Sequence, residues 1–289
     1  MRRVSRRETE LVLPRLMPGV KYNLELVEKL TRLAADAENA RNPNNETEAL
    51  FFYVNCCTKV AEQLALQLRA EEVERLVLTR THWAIRQLVS GRPPGLIPTI
   101  DLELVACKIR LKDSADAIKL EISRWPAADF VIVPDTNVLV HVTNGDVSTV
   151  DWHSLLDIAP NEDLVVVMLM AVIDELDRHK RSTKADVRQA ARRALKQIDS
   201  LFPNSTDPVS VQPARYAEGG EVTVMLMTDN LGHVPLGTPD GEIIDRALDL
   251  EARTSGRVLL LTGDTGAAIR ARTAGLQCHK IATPDPNSP

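Results

Sequence analysis

Aromatic side chains make up only 3% of this 289-residue chain. Few flat surfaces are therefore on offer for stacking against nucleic-acid bases. Cysteine is just as sparse, and Cys56, Cys57, Cys107 and Cys278 have neither the CxxC spacing of a zinc or redox site nor the density of a disulfide scaffold. They read as buried thiols. The longest apolar run, LVVVMLMAVI from Leu164 to Ile173, has ten residues, half of the ~20 that cross a bilayer. The N-terminal stretch MRRVSRRETELVLPRL is basic but lacks the apolar segment and cleavage site of a secretory signal. A cytoplasmic protein with no membrane partner is expected. His141, His153, His179 and His233 form no HxH or HExxH pair, which disfavours zinc. There is no GxxxxGK[ST] loop for a nucleoside triphosphate and no GxSxG turn for a serine nucleophile.

What is present is the balance of an ordinary globular protein, with 44% hydrophobic and 26% charged residues. The length favours two domains. From residue 20 to 90, Leu26, Leu30, Leu33 and Ala37 recur at helical spacing, as do Val60, Leu64 and Leu68. NARNPNNE should part these helices, and SGRPPGLIPT, with three prolines and two glycines, should form a loop. Leu102, Val105, Ala106 and Ile109 then predict a further helical face. Residues 1–126 are expected to form an all-α domain, with Phe51, Phe52, Trp83 and Trp125 in its core or at an interface.

The texture changes at Ala128 to short β-branched runs, FVIV, LVVVML, VTVML and VLLLT, separated by helical stretches. This pattern predicts an α/β domain over residues 127–289, with a central parallel sheet covered on both faces and a frayed tail, TPDPNSP. In such sheets ligands bind beyond the carboxyl ends of the strands.

Acids recur at that edge. Asp135 follows FVIV, Glu175 lies one turn into the helix after LVVVML, Asp240 opens a helix in PDGEIIDRAL, and Asp264 follows VLLLTG. Each alone is explained as a helix cap or a solvated helix face. Together they would repel one another, a conflict that a hard divalent cation relieves. Mg²⁺ or Mn²⁺ suits oxygen donors, and such an ion can activate water and stabilise charge on a phosphodiester.

The segments VIVPDTNVLV, VVVMLMAVIDELDRHK, PDGEIIDRAL and VLLLTGDTGAAIRARTAGL resemble the four motifs of the PIN domain, a metal-dependent ribonuclease fold of bacterial toxins and RNA-processing enzymes. The resemblance covers about residues 128–282 and implies a three-layer sandwich. It implies metal-binding catalytic acids at Asp135, Glu175, Asp240 and Asp264, with Asn137 and Thr262 in support. The third motif departs from the usual pattern, since Pro239 precedes a single acid, which leaves Asp245 as an additional or substitute ligand. Endonucleolytic cleavage of single-stranded RNA is the implied activity.

From Arg178 to Lys196 there are eight Lys or Arg against one acid, a local charge of +7 in a chain whose total is −5. Arg181, Lys184, Arg188 and Arg192 are spaced to form one helical stripe that would track RNA phosphates without reading bases. Two other readings remain. A haloacid-dehalogenase-like phosphatase also places Asp after its first strand, but Asn137 stands where that family has a second acid. A PIN-like module that binds RNA or protein without cutting is the other. For the helical domain three roles stay open: recognising RNA, forming a homo-oligomer, or binding an inhibitory protein partner.

Overall fold

A computed structural model describes residues 11–41, 45–88, 95–214, 219–229 and 233–281. The chain divides into two compact units, Met1–Arg124 and Trp125–Pro289.

The first unit is helical. Helix α1 (Leu24–Asn39) starts where the extended Asn23 accepts from the Leu26 backbone N–H at 2.8 Å, and it buries Leu26, Leu30, Leu33 and Ala37 as their spacing predicts. Asn45 caps α2 (Glu46–Ala65) in the same way, through the Glu48 N–H. Residues 42–44 of the Asn-rich break lie outside the described residues, as do residues 1–10 of the basic N-terminus. Leu68 does not extend α2. The helix stops at Ala65, and Leu68 is buried in a backbone bridge to Leu16.

Helices α3 (Ala70–Leu76) and α4 (Arg80–Gln87) lead to the long α5 (Leu96–Arg124). Much of the expected Pro-rich loop, residues 89–94, lies outside the described residues, but Leu96–Thr99 is helix. Pro98 is tolerated there because a first-turn residue has no intrahelical N–H bond to lose. The buried face of α5 is Leu96, Ile100, Leu104, Cys107, Leu111 and Ile118, whereas Leu102 and Ile109 are 71% and 51% exposed. Both faces carry apolar residues, so periodicity establishes the helix without choosing its inner side. Phe51, Phe52 and Trp83 are likewise outside the core, at 62%, 38% and 46% exposure.

The second unit is built on six strands: β1 (Phe130–Pro134), β2 (Leu164–Leu169), β3 (Val209–Gln212), β4 (Val222–Met227), β5 (Arg257–Thr262) and β6 (Gln277–Lys280). Their order is β3-β4-β2-β1-β5-β6, parallel throughout except for β3 against β4. The parallel sheet thus carries one antiparallel edge. Every residue of β2 is buried, which requires cover on both faces and explains its unbroken apolar run. The edge strands β3 and β6, VSVQ and QCHK, have no such run, and the sequence does not announce them.

Helices α6 (Trp152–Leu156), α7 (Met170–His179), α8 (Ala185–Leu201), α9 (Pro239–Arg253) and α10 (Thr265–Thr273) make the crossovers, with a π-helical turn at Val138–Val142. From β1 the chain moves outward to β2 and β4, then returns to β5 on the other side. Right-handed crossovers therefore put α7 and α8 on one face and α9 and α10 on the other. The result is the expected three-layer α/β sandwich. Gly145, at φ +82°, lets the loop after the π-helical turn press on α8, since a Cβ there would lie 2.5 Å from the Ala190 carbonyl oxygen. The tail from residue 282 lies outside the described residues.

No helix among the described residues is long and apolar enough to cross a membrane. Cys56, Cys57, Cys107 and Cys278 are free thiols, of which Cys57 and Cys107 are buried and the other two half-buried.

Candidate functional site

Strand β1 lies between β2 and β5, and its tip is where the chain's direction across the sheet reverses. Asp135 leaves that tip while still held by the sheet, its N–H donating to the Leu261 carbonyl at 2.9 Å. The residue is 7% exposed. Oδ1 accepts from the Val138 N–H at 2.8 Å, capping the helical turn that follows, and Oδ2 accepts from Thr262 Oγ1. Capping thus occupies one oxygen of this carboxylate and does not exclude a second role.

Thr262 closes β5 and is fully buried. The same hydroxyl oxygen accepts from the Asp264 N–H at 3.0 Å, and Asp264 in turn caps α10 through the Ala267 N–H at 2.7 Å. Glu175, on α7, accepts from Thr136 Oγ1 at 2.6 Å, while His179 Nε2 lies 3.9 Å from its other oxygen. Asp240 is not the cap of α9. That position belongs to Thr238, so Asp240 sits in the first helical turn, where the helix dipole favours an anion, and it pairs with Arg270 Nη2.

Burial pushes the Asp135 carboxyl above its ordinary range. The Thr262 hydroxyl and the Val138 N–H pull it back, and the charges of Glu175 and Asp240 push it up again. Those three acids share one field, and Thr262 ties Asp264 to the same strand tip. The four acids offer oxygen donors only, the type that suits a hard divalent ion, while Arg270 pairs with Asp240 and the described residues whose donor atoms lie within 4.8 Å of one another are a different group.

Other sequence candidates stand differently. Asp245 is 47% exposed and ion-paired to Arg246 at 2.5 Å. Asn137 is exposed and its side chain makes no cap. The basic stripe is broken, because α7 ends at His179 and α8 begins at Ala185. Arg181 lies in the intervening turn, Lys184 caps α8 with its backbone, and only Arg188 and Arg192 lie on the helix. Arg188 is half-buried and donates to the Ser182 carbonyl at 2.7 Å, whereas Arg192 is exposed.

Sequence reasoning missed Thr136, Arg270 and one further group. Donor atoms of Asp229, His233 and Glu242 lie within 4.8 Å of one another. Glu242 is 5% exposed and approaches His233 Nε2 at 2.6 Å through Oε1, while its Oε2 accepts from the Leu236 N–H at 2.7 Å. Asp229 and Glu242 line a cleft of about 460 Å³ together with Asp174, Asp177 and Arg178 of α7. Asp229 lies two residues beyond β4, His233 precedes α9 and Glu242 is on α9, at spacings that form no local motif. The metal-ligating potential of His233 is therefore invisible in the chain.

No curated protein matches the chain in sequence. Among solved structures, a domain of a functionally unknown protein from Methanocaldococcus jannaschii DSM 2661 is similar at 15% identity and a TM-score of 0.33. It covers 56% of this chain and 97% of that one, and a likeness so distant carries no argument. The family is shown by sequence: residues 132–282, which include all four acids at the sheet edge, match the PIN domain, and the chain belongs to the PIN domain family.

Proposed function

We propose that the C-terminal unit is a metal-dependent ribonuclease that hydrolyses phosphodiester bonds within single-stranded RNA. The observation that carries this reading is the buried Asp135 carboxylate, held in the field of Glu175 and Asp240 at the carboxyl edge of the sheet. Burial is the first cause of the raised Asp135 carboxyl, and a cation at this edge would offset the cost of the buried charge.

Asp135, Glu175, Asp240 and Asp264 would hold Mg²⁺ or Mn²⁺. When bound, the ion supplies positive charge to a phosphate oxygen and makes water easier to ionise. The protein's part is positional. Thr262 and Thr136 fix the oxygens of Asp135 and Glu175, leaving fewer rotamers for those acids to lose on binding. Arg270, at the rim beside Asp240, presents a guanidinium suited to a phosphate. Arg181, Lys184, Arg188 and Arg192 would supply sequence-independent phosphate contacts, the last three around one end of α8. RNA rather than DNA is taken from the family. We place the protein in the cytoplasm and leave the helical unit to an RNA, a second copy or an inhibitory protein.

One observation favours a second reading, a module that binds RNA or protein without cutting: Arg270 gives Asp240 a counter-charge without any metal. A single experiment separates the two. Wild type and Asp135→Asn are compared on labelled single-stranded RNA and DNA with Mn²⁺, Mg²⁺ or EDTA. Cleavage of RNA that needs the metal and is lost in the variant is expected. Intact RNA binding with no cleavage by either protein leaves the second reading standing.

A further inference from the structure

We propose that Asp229, His233 and Glu242 form a second cation site, apart from the four acids, that takes a Zn²⁺-class transition-metal ion in preference to Mg²⁺. The donor set is one imidazole nitrogen and two carboxylates, all within 4.8 Å. Nitrogen donors favour borderline transition metals, whereas Mg²⁺ prefers oxygen and retains its water.

The group differs from an ordinary acidic surface patch. Asp229 is exposed, but Glu242 is buried at 5% exposure and the His233 side chain is at 14%. Nε2 and Oε1 already face each other at 2.6 Å. Metal–ligand bonds of about 2.0–2.1 Å at a tetrahedral angle set the two donors about 3.3 Å apart. Inserting an ion in place of the shared proton therefore opens the pair by only about 0.7 Å. Asp229 reaches the same point by rotating a solvated side chain, and the cleft of about 460 Å³ gives the ion a route in and room for water.

Arg246 is the opposing charge, with Nε 3.5 Å from Glu242 Oε1. It is shared with Asp245 at 2.5 Å and Asp249 at 3.8 Å, so the neighbourhood stays negative. Asp174, Asp177 and Arg178 line the facing wall of the cleft, with Lys180 paired to Asp177 at 2.6 Å. An ion here would tie Asp229 and His233 to Glu242 of α9, two residues beyond Asp240. Its role is to hold the turn that positions Asp240.

The inference does not depend on the nuclease reading, and its test removes the four-acid set. In an Asp135→Asn, Glu175→Gln protein, Co²⁺ is titrated as a probe of the zinc class and followed by its visible absorption and by proton NMR. One equivalent is expected to bind and to give a hyperfine-shifted imidazole N–H resonance, a signal that carboxylates alone cannot produce. Adding His233→Gln should abolish that resonance and weaken Co²⁺ and Zn²⁺ by at least ~10-fold. Asp229→Asn, at a solvated position, should weaken them with the fold untouched. His179→Gln, next to Glu175, should leave the resonance in place. No shifted imidazole, unchanged affinity in His233→Gln, or loss of the resonance in His179→Gln instead would overturn the proposal. Binding by this site in a wild-type protein that cleaves no RNA would sink the nuclease reading and leave this one intact.

Discussion

Thr262 holds two acids with one hydroxyl: Oγ1 donates to Asp135 Oδ2 and accepts from the Asp264 N–H at 3.0 Å. Because Thr262 and Asp135 are both buried, no water can replace the bond between them. Thr262→Val keeps the shape and removes both partners. Leaving the buried Asp135 oxygen unpaired costs about 1–3 kcal/mol, while Asp264, which is exposed, can turn to water. Chemical denaturation should show that loss for Thr262→Val and little of it for Thr262→Ser. Mn²⁺ affinity should fall in the valine variant alone, because only there does Asp135 Oδ2 lose the group that positions it. Equal stability of the two variants would remove the hydroxyl from this role.

The raised Asp135 carboxyl makes a prediction about stability with a definite sign. Burial is its first cause, so the folded state binds this proton more tightly than the unfolded chain does. Stability from the group is complete below the ordinary carboxylate range, near 3.8, and is lost as pH rises through the folded value. At neutral pH without metal, the ionised form is a net cost. Asp135→Asn should therefore melt at a higher temperature than wild type in EDTA at pH 7.5, with the gap closing towards pH 4. Mn²⁺ should raise the melting point of wild type and not of the variant. A variant that melts lower in EDTA at pH 7.5 would show that the carboxylate is already compensated by its hydrogen bonds.

The sheet and its acids were legible for one physical reason: strands buried on both faces must be apolar along their whole length, and acids directly after them break the run. FVIV before Asp135 and VLLLTG before Asp264 display this plainly. Membership of the PIN domain family also removes the haloacid-dehalogenase alternative that Asn137 already opposed. The inner face of α5 was not legible, because Leu102 and Ile109 satisfy helical spacing as well as the residues that are buried. Nor was the break in the basic stripe, since spacing places Arg181 and Lys184 on a helix that ends at His179. Arg270 on Asp240 and His233 on Glu242 are contacts between separate elements and leave no local trace.

In the helical unit, His82 is 1% exposed, with Nδ1 3.2 Å from the Tyr53 hydroxyl and Nε2 buried without a hydrogen-bond partner. Burial lowers its pKa from the ordinary 6.5, with Arg86 acting in the same direction and Glu103 against it. The unfolded chain therefore binds a proton that the folded one refuses, and stability falls as pH drops through about 6.5. Amide exchange in α2 and α4 should accelerate between pH 7 and pH 5, after correction for intrinsic rates. In His82→Gln that dependence should flatten. An equally steep dependence in the variant would place the acid sensitivity elsewhere.

Arg270 and a metal ion compete for the same carboxylate. The ion pair with Asp240 is half-exposed, at 55% and 43% for the two side chains, so solvent screens it strongly. Exposed pairs of this kind contribute roughly 1 kcal/mol or less, equivalent to a factor of about 5 in a dissociation constant. Arg270→Ala should thus bind Mn²⁺ more tightly by up to about 5-fold. If Arg270 also contacts the scissile phosphate, as the nuclease reading has it, the same variant should cleave RNA more slowly at saturating Mn²⁺. Tighter metal binding joined to slower cleavage separates the guanidinium's work on the substrate from its work on Asp240, since neutralisation alone would move both in the same favourable direction. Arg270→Lys, which keeps the charge but not the planar fork, should restore the Mn²⁺ affinity without fully restoring the rate. Unchanged calorimetric Mn²⁺ affinity in Arg270→Ala would show that the pair does not guard the acids.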